Sequence, residues 1–187
     1  MTGSGAGSDT VLASRHAYRG RLISLRVDTL RTAGGHTVER EVVEHPGAIA
    51  IVALDDAGRV LLVRQYRHPV GRATLEVPAG TLHAGEDPTL CARRELAEET
   101  GLAARDWRLL TRICPSPGYC TEAIWLYLAT GLHVAAEPGT PDADEDITVE
   151  RLPLAEALDR IARGEIADGK TAVALLLAAR EREANRG

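Results

Sequence analysis

The segment DPTLCARRELAEETGL, Asp87 to Leu102, specifies both ends of a helix and the character of one of its faces. Asp87 suits an N-cap, where a short carboxylate accepts from free backbone N–H groups. Pro88 suits the first turn, where its missing N–H costs nothing. Gly101 suits the left-handed residue that closes a helix. Leu90, Leu96 and Ala97 supply an apolar side. Glu95, Glu98 and Glu99 stand at i, i+3 and i+4, so a helix stacks all three carboxylates on one face. Like charges at that spacing repel by roughly 0.2–0.5 kcal/mol per pair. One reading is a solvated surface whose repulsion Arg93 and Arg94 partly offset. The other is a compact patch of hard oxygen donors, the chemistry that Mg²⁺ requires. Gly80 and Gly85 upstream let backbone approach closely, so a loop carbonyl can complete a coordination shell.

Around this helix the pattern is strand-rich. Residues 1–12 are small and polar and read as a disordered tail. Residues 13–45 read as an N-terminal β extension, with strands at Arg21–Leu30 and Thr37–His45 joined by the turn signal TAGGH. Residues 46–187 form the main domain. AIAIVAL (48–54) is an unbroken apolar run of the kind buried on both faces. RVLLVRQYR (59–67), TLEVPAG (74–80), Trp107–Ile113, Ala123–Ala129 and ITVERLPL follow as strands. Leu154–Arg163 and Lys170–Arg182 are amphipathic helices. Strands and helices mix without strict alternation, which predicts an α+β architecture, a sheet sandwiched between helices.

Composition narrows the function. The chain of 187 residues has no Phe and 44% apolar residues, so its core must be aliphatic. A net charge of −5 with dispersed acidic residues lacks the basic footprint of a nucleic-acid binder. Cys91, Cys114 and Cys120 have neither the number nor the spacing of a zinc site or a disulfide framework, which points to reduced thiols in the cytoplasm. The longest apolar run, Ala172–Ala179, is too short to cross a bilayer.

Gly80, Glu86 and the run Arg94-Glu95-Leu96-Ala97-Glu98-Glu99-Thr100-Gly101-Leu102 together resemble the complete Nudix box. The Nudix family hydrolyses nucleoside diphosphates linked to another moiety. The resemblance implies the Nudix fold, a mixed sheet between helices. It implies Mg²⁺ or Mn²⁺ held by Glu95, Glu98 and Glu99, with Glu98 also counted among the catalytic residues. Arg94 would pair with a carboxylate and orient it, and Glu86 would orient or hold a secondary metal. The flanks REVVEHPGAIAIV, QYRHPVG, LEVPAG and PSPGYCTE resemble the ADP-ribose pyrophosphatase branch, and Pro117 matches that branch's proline past the box.

That branch implies further roles. The Ala79 carbonyl becomes a metal ligand. Arg40 and Arg67 hold the substrate diphosphate, against the plainer reading of exposed strand arginines. Glu122 contacts the terminal ribose. A glutamate on the loop after the box completes the catalytic base; Glu145 is the match in the acidic segment Asp142–Asp146, with Asp144 as its rival. The N-terminal extension swaps across a homodimer and helps bind adenine. The implied reaction is metal-dependent hydrolysis of ADP-ribose to AMP and ribose 5-phosphate, with a small nucleoside diphosphate sugar as partner and neither nucleic acid nor membrane involved. Tyr119, near a tyrosine of diadenosine-polyphosphate hydrolases, keeps open another nucleoside diphosphate derivative, such as an ADP-sugar or a diadenosine polyphosphate. A non-catalytic ADP-ribose sensor is the rival from a different class; such proteins degrade the box glutamates, which this chain retains.

Overall fold

The computed structural model describes residues 9–137, 139 and 147–184. These separate into two compact units: residues 9–47 with Ser116–Glu122, and residues 48–115 with the described residues from 123 onward. The larger unit carries the box.

The N-terminal unit is one antiparallel sheet in the order β1-β2-β3, formed by Thr10–Arg19, Ser24–Arg31 and Thr37–Glu44. β2 and β3 are the expected pair. β1 is a strand that sequence reading missed, and it takes in residues 10–12, which were expected in the tail. Its composition is mixed and every residue is exposed, so no apolar alternation marks it. The segment after Pro115 belongs to this unit through Val43 N–H to the Tyr119 carbonyl (2.7 Å) and Thr121 N–H to the Val43 carbonyl (2.9 Å).

The larger unit has two sheets. One runs β7-β4-β9-β8, from Ala79–Thr81, Ala48–Ala53, Ile124–Val134 and Leu102–Ile113. The other runs β10-β5-β6, from Ile147–Pro153, Arg59–Arg67 and Arg72–Glu76. β4 pairs parallel with β9 and antiparallel with β7, so the first sheet is mixed. The period of two in β4 explains its unbroken apolar sequence. Ile49, Ile51 and Ala53 pack with Cys91, Ala92 and Leu96 of α1 (Pro88–Thr100). Ala50, Val52 and Leu54 pack with Leu154 and Ala157 of α2 (Leu154–Ala162) and with Ala174, Leu175 and Ala178 of α3 (Gly169–Ala184). Helices therefore cover both faces, as the pattern predicts; the core under α2 and α3 is aliphatic, and the one under α1 adds Cys91 and Tyr127, with Trp107 and Trp125 packed against it. No helix among the described residues is long and apolar enough to cross a membrane.

The ends of α1 are those read from its sequence. The Asp87 carboxylate accepts from Thr89 N–H (2.8 Å) and Leu90 N–H (3.2 Å), and Gly101 closes the helix at φ 68°. Its apolar side differs from expectation. Leu90 is 62% exposed, and the buried positions are Cys91, Ala92, Leu96 and Glu99. Ala92, Leu96 and Glu99 are spaced i, i+4, i+7, which defines the stripe against β4 and leaves Leu90 on another side. Glu99 thus enters the protein at the foot of that stripe.

Leu96 is fully buried at the centre of the α1 contact. Leu96→Ala is expected to destabilise the fold by about 2–5 kcal/mol, through lost burial and the cavity left behind. Chemical denaturation followed by circular dichroism measures this directly.

Candidate active site

Because α1 is anchored by Ala92 and Leu96, its acidic residues fall along one edge of the buried stripe. Arg94 organises them. Its Nη1 donates to Glu95 Oε1 (2.7 Å) and to Glu98 Oε2 (2.8 Å). Its Nε and Nη2 donate to the two oxygens of Glu86, at 3.1 and 3.2 Å. One guanidinium thus faces three carboxylates. The Arg94 hydrogen bond holds the Glu86 carboxyl at about 2, against the upward push of partial burial. Partial burial pulls Arg94 downward, but the Glu86 hydrogen bonds and the Glu95 charge outweigh it and raise the guanidinium above its ordinary range. Cys91, beside Arg94 at 3.4 Å, has its thiol pushed up to about 12 by burial and by Glu86, so it is an inert packing group.

Two glycines fix the carboxylates from outside the helix. A Cβ on Gly80 would lie 1.9 Å from Glu95 Cδ and 2.0 Å from its Oε1. Gly80 is therefore glycine because the Glu95 side chain occupies that space. A Cβ on Gly139 would lie 2.2 Å from Glu98 Cγ. The chain following β9 passes against Glu98 at this point, a contact that the sequence did not reveal. Glu99, 8% exposed, accepts from the Ala79 backbone N–H at 3.2 Å, which ties the third box glutamate to the strand that carries Gly80.

Among the described residues, no three His, Cys, Asp or Glu side chains form a ready-made metal cluster. The donor set nonetheless fits a hard divalent cation. Glu95 and Glu98 already converge on a single cationic nitrogen, Arg94 Nη1, so their oxygens can share one positive centre. All the side-chain donors here are carboxylate oxygens, the ligand type such ions take.

The remaining candidates are not among the groups that Arg94 binds. Arg67, at the end of β5, donates through Nε and Nη2 to the buried Glu76 carboxylate, each at 2.9 Å. Arg40 and Glu122 belong to the N-terminal unit. Arg40 is exposed, and its Nη1 reaches the Glu39 carbonyl at 3.2 Å; Glu122 lies 3.7 Å from His45 Nδ1. Glu145 and Asp144 lie outside the described residues.

A second polar cluster was not anticipated. Glu76 also accepts from Thr74 Oγ1 (2.6 Å) and from the Lys170 ammonium. Lys170 lies 3.0 Å from Asp168, whose carboxylate caps α3 by accepting Thr171 N–H (3.0 Å) and Thr171 Oγ1–H (2.6 Å). A sequence signal existed: a glutamate inside the apolar run TLEVPAG, and the only lysine among 22 Lys and Arg residues.

The Nudix domain model matches residues 44–173. The chain belongs to the Nudix family. It is 47% identical over 156 residues to the ADP-ribose pyrophosphatase of Mycobacterium tuberculosis, covering 83% of this chain and 75% of that protein. It is 38% identical to the methanol dehydrogenase activator of Bacillus methanolicus and 37% identical to the ADP-ribose pyrophosphatase of Bacillus subtilis. Each of these matches spans 167 residues, 89% of this chain and 90% of the relative. A crystal structure of an ADP compounds hydrolase superposes with a TM-score of 0.86 at 25% identity, covering 98% of both chains. Nudix hydrolases generally use divalent metal ions, and this member is a hydrolase with the family's α+β fold.

Two predictions follow from this geometry. Gly80→Ala is expected to expel the Glu95 carboxylate from its place, weakening Mn²⁺ binding by about tenfold or more, as loss of one anionic ligand does. Titration with Mn²⁺ followed by electron paramagnetic resonance reads this out. Burial raises the Glu76 carboxyl, but Arg67 and Lys170 overcome it and bring it down to about 2 from an ordinary 4.5. A depressed carboxyl stabilises the fold fully above its unfolded value and loses that contribution as pH falls through the folded one. Stability on the order of 3 kcal/mol is therefore expected to disappear between about pH 4.5 and pH 2, and Glu76→Gln to flatten that part of the profile. Urea midpoints across this range test it.

Proposed function

We propose that this chain hydrolyses the pyrophosphate bond of ADP-ribose, giving AMP and ribose 5-phosphate. The observation that carries the reading is the gathering of Glu86, Glu95 and Glu98 around Arg94 on one face of α1, with Glu99 tied to Ala79. The substrate assignment draws support from relatives named ADP-ribose pyrophosphatase that align over most of the chain. Glu95, Glu98, Glu99 and the Ala79 carbonyl would hold Mg²⁺ or Mn²⁺. Such ions neutralise phosphoryl charge and lower the pKa of a bound water. Arg94 orients Glu95 and Glu98 by donating to both. Arg67 and Arg40 bind the diphosphate, where guanidinium forks match phosphate oxygens. Glu122 contacts the terminal ribose. Glu145, or Asp144 in its place, accepts the proton of the attacking water. The retained box glutamates favour an enzyme over a sensor.

The N-terminal β extension, residues 13–45, serves in a homodimer and in substrate binding. Supporting this, β1 is exposed along its whole length and displays Val11 (56% exposed) and Tyr18 (60%), apolar surface that a second copy can cover. The setting is cytoplasmic, in keeping with the free thiols Cys91, Cys114 and Cys120.

The test is release of AMP from ADP-ribose with Mg²⁺, against ADP-sugars and a diadenosine polyphosphate as competing substrates. Glu98→Gln and Glu99→Gln are each expected to lower kcat about 10³-fold or more, because transition-state charge loses its compensation. Near-normal turnover in both variants rejects the metal face. In ¹⁸O-water the label is expected in AMP, from attack at the adenosyl phosphorus. Label in ribose 5-phosphate reverses the substrate and removes the roles given to Arg40, Arg67 and Glu122. A chain sedimenting as a monomer at assay concentration overturns the dimer.

A further inference from the structure

Glu76 is a buried carboxylate that the hydrolytic reading leaves without a task. Its side chain is 3% exposed, yet it carries two cations, Arg67 and Lys170. Fastening α3 to β6 does not require this. An apolar pair of similar volume joins two elements at least as well, because two charges taken from water lose much of what their attraction returns. The form of the contact suggests another purpose. Arg67 binds Glu76 in a parallel two-point fork through Nε and Nη2. That leaves Nη1 and the second hydrogen of Nη2, three of the five guanidinium donors, on the outward edge. The Arg67 side chain is 40% exposed, so a ligand from solvent can reach this residue. The carboxylate itself is held from three elements. Thr74 of β6 donates to Oε1, Arg67 comes from β5, and Lys170 comes from the first turn of α3. Lys170 in turn is fixed by Asp168, the residue that caps α3. A lysine suits this position, because its three donors radiate toward acceptors on different elements whereas a planar fork serves one carboxylate. The cluster balances, with Arg67 and Lys170 against Glu76 and Asp168. An incoming phosphate oxygen would therefore meet a cation whose orientation has already been set.

We propose that Glu76 is a positioning residue for substrate binding: it grips Arg67 by one edge, braced by Lys170, and so aims the other edge at a phosphate oxygen of the nucleoside diphosphate. This rests on the reading of Arg67 as a diphosphate contact. The gain is preorganisation. A free arginine side chain must be immobilised on binding, and a clamped one has lost that freedom beforehand.

Steady-state kinetics of the full chain with ADP-ribose and Mg²⁺ test the proposal, using Arg67→Ala, Glu76→Gln, Glu76→Asp and the double variant Arg67→Ala/Glu76→Gln. Arg67→Ala is expected to raise KM about tenfold or more, the scale of one charge-assisted hydrogen bond. Glu76→Gln is expected to raise KM about fivefold or more with kcat within about twofold, since it acts through Arg67 on ground-state binding. In the double variant KM is expected to equal that of Arg67→Ala alone, because Glu76 has nothing left to aim. Glu76→Asp keeps the charge and withdraws it by one methylene, so it too is expected to raise KM; it decides the matter if Glu76→Gln fails to fold. A purely structural Glu76 would lower the thermal midpoint and leave KM of the folded enzyme at the parental value. Parental KM in the folded Glu76 variants, beside a raised KM in Arg67→Ala, overturns the positioning role and leaves Arg67 as a substrate contact. Parental KM in Arg67→Ala overturns the Arg67 reading itself, and the proposal with it.

Discussion

Three carboxylates gathered by one guanidinium form the constraint on which the site depends. Glu86 comes from the loop before α1, whereas Glu95 and Glu98 come from α1 itself, and Arg94 binds all three. Repulsion within the helix amounts to a few tenths of a kcal/mol per pair, roughly 0.2–0.5. Against that, a partly buried cation donates four hydrogen bonds to the acidic groups. Its hydrogen bonds also hold the Glu86 carboxyl down at about 2.

The surrounding fold serves that face by refusing space. Gly80 admits the Glu95 carboxylate where any other residue would place a Cβ, and Gly139 does the same for the Glu98 stem. The Ala79 N–H reaches Glu99, so the strand that supplies one glycine also secures a second glutamate. The Glu76 cluster stands three residues earlier in the same passage of chain. It fastens the approach to Ala79 to the cap of α3 through Lys170 and through Val77 N–H to Thr171 Oγ1 at 2.9 Å. The segment from Thr74 to Gly80 is thus fixed at both ends by charge, and its middle by Val77 in the core.

Local chemistry was legible in the sequence wherever it was written within a few neighbouring residues. Both ends of α1 follow from Asp87, Pro88 and Gly101, because caps are satisfied inside one turn. The double burial of β4 follows from an apolar run too short for a helix and too continuous for a half-exposed strand. The carboxylate face follows from the i, i+3, i+4 spacing alone, and the box read there is the family shown by the domain match.

What the sequence by itself determined was the kind of site: an acidic helix face beside one close-packed glycine, Gly80, on an aliphatic α+β scaffold, whereas Gly85 has nothing packed against it and stands at a turn with φ 77°. Tertiary structure alone decided which partners that face and its neighbours meet. Leu90 points away from the core because packing selects the Ala92–Leu96–Glu99 stripe. The exposed strand β1 has no apolar period to announce it. Nothing near Glu76 in sequence says that Lys170, 94 residues later, will reach it. Caps and periodicities are set by covalent neighbours. Ion pairs and backbone contacts between distant segments exist only once the sheets and helices have closed around their common core.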